Sequence, residues 1–120
     1  MTIVSSMKGL HESLAAADEL AGAGIVAEVI DLRTIRPFDA ATILESVAKT
    51  NRLVVVEEVP LTGGWAGEVL AVTLEKGLGD LDDAWRTTIP DSPVPSSPPL
   101  EDAHVPGAGR IASEIRQRLG

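Results

Sequence analysis

Leu53-Val54-Val55-Val56-Glu57-Glu58 is the stretch on which the fold turns. Four apolar residues follow one another without the polar alternation of a half-exposed strand, so this segment reads as a central strand covered on both faces. Working outward, Gly63-Gly64 breaks the chain before a helix with Val69, Leu70, Val72 and Leu74 inside, ending near Gly77 and Gly79. Residues 84–89 form a further strand. Upstream, Pro37-Phe38-Asp39 opens a helix: Asp39 is a good N-cap, Phe38 can staple onto Ile43, and Ile43, Leu44 and Val47 make the buried stripe. Residues 25–32 read as a strand centred on Val29 and Ile30. Before it, Ser6 caps a helix over 7–21 with Leu10, Leu14, Ala17 and Ala21 on one face, stopped by Gly22 and Gly24, and residues 2–5 form the first strand. The order strand, helix, strand, helix, strand, helix, strand predicts a largely parallel sheet with helices on both faces.

Residues 90–106 hold six of the eight prolines. Proline lacks a backbone donor and resists both ladder and helix, so this stretch reads as an extended irregular arm, with Val94, Leu100 and Val105 as apolar anchors. A last amphipathic helix covers 108–119, with Ile111, Ile115 and Leu119 on one face. The 120 residues fit one domain, 1–120, with the arm inside it.

Composition narrows the function. Hydrophobic residues make up 44% and aromatics only 2%, so the core is built from Val, Ile, Leu and Ala. The net charge of −8 repels a phosphate backbone and argues against nucleic acid, while it suits a basic protein partner. There is no cysteine, hence no disulfide or thiolate chemistry, which fits a reducing cytoplasm. No apolar run approaches the roughly 20 residues of a membrane helix, and Lys8 and His11 interrupt what would be a signal peptide.

Few residues suggest chemistry. There is no Gly-x-Ser-x-Gly elbow, and His11 reads as a helix-surface residue that nothing orients as a base. Asp80, Asp82 and Asp83 offer oxygen ligands but lack the twelve-residue calcium-loop pattern, so they read as a solvated acidic loop. Gly63-Gly64-Trp65-Ala66-Gly67 opens a helix after a buried strand, where phosphates bind in nucleotide folds. It matches no phosphate motif, however, and Glu57 and Glu58 would repel an anion, so close packing is the better reading, with Trp65 suited to a protein interface. Arg33 and Arg36 leave the carboxyl end of the second strand beside the helix start at Asp39. They suit either an anion or a salt-bridge network with Asp31, Asp39, Glu57 or Glu58.

Val29-Ile30-Asp31-Leu32-Arg33-Thr34-Ile35-Arg36-Pro37-Phe38-Asp39 resembles the signature of the transketolase carboxy-terminal domain, closest to that of β subunits of pyruvate, branched-chain 2-oxoacid and acetoin dehydrogenases. Gly9-Leu10-His11-Glu12-Ser13-Leu14, Leu53 through Glu58, Thr62 through Glu68, Pro93-Val94-Pro95 and Pro98-Pro99-Leu100-Glu101 agree in order. The resemblance implies a three-layer α/β/α domain with a five-stranded mixed, mostly parallel sheet whose first strand is antiparallel. It implies an oxidoreductase assembly performing oxidative decarboxylation, with thiamine diphosphate and Mg between a pyrimidine-binding domain and an α subunit. The carboxy-terminal domain there pairs β subunits and docks the acyltransferase core, whose docking surface is basic. The Gly-Asp-Gly and following asparagine of the family's cofactor site are missing here, the sole asparagine being Asn51, so the chain alone is not expected to bind the cofactor or to be catalytic. Ser96 stands where the family has an aromatic in the arm.

Two readings follow. In the first, the chain is a non-catalytic assembly domain or split subunit, self-associating through Gly63, Gly64, Trp65 and Gly67 and docking an acyltransferase through Asp80, Asp82, Asp83 and the last helix. In the second, it is a free-standing small-molecule module that holds an anion on Arg33, Arg36 and the helix start at Asp39.

Overall fold

A computed structural model describes all residues, Met1–Gly120. Four strands, β1 (Thr2–Ser5), β2 (Glu28–Asp31), β3 (Arg52–Pro60) and β4 (Asp83–Ile89), form one sheet in the order β2-β1-β3-β4. Helices α1 (Met7–Gly22), α2 (Ala40–Thr50) and α3 (Ala66–Gly77) connect them, and α4 (Pro98–His104) and α5 (Ala108–Leu119) follow. β1 pairs in parallel with both β2 and β3, and β3 with β4. The sheet is therefore four-stranded and wholly parallel, not five-stranded and mixed, and β1 is not antiparallel. The reason is connectivity: each strand reaches the next through a helix, which returns the chain to the same edge. The remaining stretch that could add a strand, 90–106, is too rich in proline to donate to a ladder.

The order of β3 follows from handedness. The chain moves outward from β1 to β2, then back across β1 to β3 and on to β4. Right-handed crossovers in opposite directions place their helices on opposite faces. Accordingly Val54 and Val56 pack with Ile3, Ala16, Leu20, Ile111 and Ile115 on the α1/α5 face. Leu53 and Val55 pack with Val4, Ile43, Val47, Ala66 and Val69 on the α2/α3 face. Truncating Ile3, Leu20, Ile43, Leu53, Ile111 or Ile115, all fully buried, to Ala costs about 2–5 kcal/mol, the spread depending on how far the site collapses.

The first helix is turned relative to its expected face. Gly9, Ser13, Ala16 and Leu20 are buried, whereas Leu14 is 46% exposed and Ala21 is exposed. Gly9 explains the rotation. A Cβ there would stand 2.6 Å from Ser5 Oγ, so the small side of α1 approaches the sheet over its first turns and Leu14 turns away. Ser6 occupies the N-cap position without a capping side-chain bond.

The arm is not wholly irregular. Pro98 and Pro99 enter the first turn of α4, where a missing N–H removes no helical bond. Val94 and Leu100 are 55% and 60% exposed, so they do not anchor it. Leu74 in α3 likewise faces outward. The last helix is held by partners distant in sequence. Glu12 Oε2 accepts from Ala108 N at 2.9 Å, the Arg110 guanidinium donates to Thr88 O at 2.9 Å, and Arg116 pairs with Glu19 at 2.7 Å. No helix is long and apolar enough to cross a membrane.

Candidate functional site

The carboxyl edge of the sheet brings the Gly63–Gly67 segment and the arginine loop to one side of the molecule, each leading into a helix. At α3 the decisive group is Glu57, the residue that follows the apolar run of β3. It is only 2% exposed. Its Oε2 accepts a hydrogen bond from Ala66 N at 3.0 Å, capping the first turn of α3, where the partial positive charge of the helix favours a carboxylate. Its Oε1 is buried and has no partner. A Cβ on Gly64 would collide with that oxygen, so the carboxyl group keeps this place only beneath a residue without a side chain. Burial pushes the Glu57 carboxyl above its ordinary range, opposed by the N–H groups of Ala66 and Trp65 and the charge of Arg86. The packing partner of Gly64 is thus this chain's own carboxylate, while a Cβ on Gly63 would meet nothing, and an incoming phosphate would find the helix start occupied.

The loop before α3 is tied at its other end as well. Asp91 Oδ1 accepts from Thr62 N at 3.1 Å and Oδ2 from Thr62 Oγ1 at 2.7 Å, while Arg86 donates to Leu61 O at 3.1 Å. The bonds from Thr62 hold the Asp91 carboxyl below its usual range. Gly63, at φ +84°, makes the turn that brings Gly64 inward. Trp65 is half-buried against the α2/α3 core, so its indole is shared between packing and surface. Asp91 and Arg86 carry no local sequence signal for this task, because both come from the far side of α3 in the chain.

The arginine loop does not converge. Arg33 pairs with Asp31 at 3.3 Å with its side chain 84% exposed, and Arg36 forms no ion pair. Neither meets Glu57 or Glu58: Glu57 caps α3, and Glu58 is exposed. Asp39 caps α2, accepting from Thr42 N at 3.1 Å and Thr42 Oγ1 at 2.6 Å, and those bonds hold its carboxyl below the usual range. This helix start, too, already carries a carboxylate. Beside it lies an open groove of about 610 Å³, lined by Ile35, Pro37, Phe38 and Val72 with Arg36 and Glu68.

At the opposite edge, Asp80, Asp82 and Asp83 do not come together as a metal-ligating group. Asp83 pairs with Arg118 at 3.3 Å, and Asp80 O accepts from Asn51 Nδ2 at 2.8 Å. Asp82 and Asp83 instead border a shallow depression of about 270 Å³ lined by Leu70, Leu74, Leu78 and Leu81. Leu74 and Leu78 are 43% and 66% exposed, which makes this an apolar patch with an acidic rim. Reading Leu74 as interior hid that patch at the level of sequence. His11 is exposed, and His104 Nε2 is buried without a partner, so no acid, base and nucleophile converge on either.

The transketolase, C-terminal domain family matches residues 1–111. This chain belongs to that family. The acetoin:2,6-dichlorophenolindophenol oxidoreductase subunit beta of Cupriavidus necator is 40% identical over 120 residues, covering 99% of this chain and 36% of the relative. The pyruvate dehydrogenase E1 component subunit beta of Caenorhabditis elegans is 40% identical over 121 residues, covering 99% of this chain and 34% of the relative. Among solved structures, a split-gene transketolase in an inactive beta4 tetramer superimposes with a TM-score of 0.86 at 26% identity, over 97% of this chain and 38% of that one. This transketolase carboxy-terminal domain thus spans roughly a third of the relatives it matches. Its residues do not fit thiamine diphosphate or Mg. The helix starts of α2 and α3 are capped by Asp39 and Glu57, and the aspartates do not converge.

Proposed function

We propose that this chain is a non-catalytic assembly domain of a thiamine-diphosphate-dependent 2-oxoacid dehydrogenase or transketolase-like enzyme. It pairs with a second copy through the Gly63–Gly67 segment and docks a basic partner, the acyltransferase core, through the acid-rimmed leucine patch. The cofactor and Mg belong to the pyrimidine-binding domain and the α subunit, with which the chain assembles. The observation that carries the docking reading is the juxtaposition of exposed Leu74 and Leu78 with Asp82 and Asp83. A partner that matches it offers apolar side chains beside lysines or arginines, and its association is steered by charge. The test is calorimetric titration of the chain with the subunit-binding domain of the acyltransferase from the same cells. Leu78→Asp should weaken binding at least tenfold, and Asp82→Asn with Asp83→Asn should weaken it and reduce its salt dependence. Binding unchanged by all three substitutions would remove the patch from the interface.

Arg36, free of any ion pair at the groove beside α2, supports a second reading as an anion-binding module. Binding of 2-oxoacids that Arg33→Ala and Arg36→Ala abolish would favour it over the assembly reading.

A further inference from the structure

We infer that Glu57 is the positioning residue of the Gly63–Trp65 segment, and that the protonation state of its carboxyl group sets how firmly this segment and the first turn of α3 close over β3. The geometry on which this stands is a covered carboxyl with unequal oxygens. Oε2 holds Ala66 N, whereas Oε1 is buried beneath Gly64 and makes no hydrogen bond, although the Trp65 N–H also acts on the carboxyl group. An ionised carboxylate carries acceptor capacity on both oxygens, and leaving one unsatisfied in the interior is costly. Two events relieve that cost: Glu57 takes up a proton, or the segment lifts and water reaches Oε1. Gly64 is the atom-thin cover, and Gly63, at φ +84°, is the adjacent turn.

The charges around the site set the balance. From β4, Arg86 favours the ionised form, and its guanidinium also lies 3.3 Å from where a Gly67 Cβ would stand. Glu58 on β3 and Glu68 in the first turn of α3 are both exposed. On α2, the other helix of this face, Asp39, Glu45 and Lys49 are all exposed. β1 contributes only Thr2, Ile3, Val4 and Ser5, none of them ionisable. Asp91 anchors Thr62 at the far end of the segment and stays ionised throughout the range in which Glu57 titrates, since its carboxyl is held low. One end of the segment is therefore fixed while the other responds to pH. The raised range expected for a buried carboxyl supports the same direction: closed as pH falls, loosened as pH rises.

The experiment is nuclear magnetic resonance of the 120-residue chain, following the Glu57 side-chain carboxyl and the amides of Gly64, Trp65 and Ala66 from about pH 4 to 8. Expected is a Glu57 midpoint above its ordinary 4.5, shared by the three amides, with their exchange protection falling as pH rises through it. Glu57→Gln keeps an acceptor for Ala66 N and should remove the titration from all three amides. Gly64→Ala should return the Glu57 midpoint toward its ordinary 4.5. The inference is overturned if Glu57 titrates at its ordinary 4.5, or if the amides ignore its midpoint. The native chain alone decides this if either variant does not fold, and no partner is needed, so the assembly proposal stands or falls separately.

Discussion

The starts of α2 and α3 solve one problem in two ways. Each helix follows the carboxyl end of a strand, and each needs an acceptor for its free N–H groups. At α2 the acceptor is local and wet: Asp39 bonds Thr42 three residues on, exposed, with its carboxyl held low. At α3 it is remote and dry: Glu57 reaches Ala66 nine residues on, is 2% exposed, and is pushed up by burial. The same bond to a helix start thus accompanies opposite shifts. Desolvation decides the sign at Glu57, and hydrogen bonding decides it at Asp39.

The largest break in this comparison should come from Gly64. Its replacement by Ala forces a methyl onto the Glu57 carboxylate and should cost about 3 kcal/mol in urea denaturation. Combined with Glu57→Ala, which empties the collision site, the two costs should be clearly less than additive. Additive costs would mean that Gly64 is needed for its backbone rather than for the contact. Next, Glu57→Ala alone should cost about 1–2 kcal/mol, because it removes the cap of α3 and opens a small buried space. Asp39→Ala should cost less, and thermal melting should show a modest fall with no change in the carboxyl-edge segment 61–65.

The pH dependence sharpens the contrast. Glu57 has a raised folded value, so its contribution to stability is complete below its ordinary 4.5 and is lost as pH rises through the folded value. Asp39 and Asp91 have lowered values. Their contributions are complete above 3.8 and are lost as pH falls through the folded values. Glu57→Gln should therefore flatten the stability profile on the neutral side only, and Asp39→Asn on the acid side only. A Gln variant that keeps the native slope above pH 4.5 would assign that slope to another group.

Much of this was legible residue by residue. The unalternating run 53–56 reads as a strand covered on both faces, and it is. Asp39 reads as an N-cap, and it accepts from Thr42 N. Such features depend on near neighbours in the chain. Where a large residue was weighed against a small one, periodicity failed. Leu10, Leu14, Ala17 and Ala21 look like the apolar face of α1, but the close approach at Gly9 turns the smaller Ser13 and Ala16 inward. The resemblance to the family carried a fifth strand and an antiparallel first strand, neither of which these residues form.

By itself, the sequence determined the alternation of strands and helices, the two-sided burial of β3, the cap of α2 and membership of the transketolase carboxy-terminal domain family, because each rests on local pattern or on residues compared in register. Only the tertiary structure decided that Glu57 is a buried cap rather than a partner for Arg33 or Arg36, that Asp91 and Arg86 hold the loop before α3, and that exposed leucines adjoin Asp82 and Asp83. Those relations join residues from different strands and helices, and whether a carboxylate ends in water or beneath a glycine depends on how the layers close rather than on its neighbours in the chain.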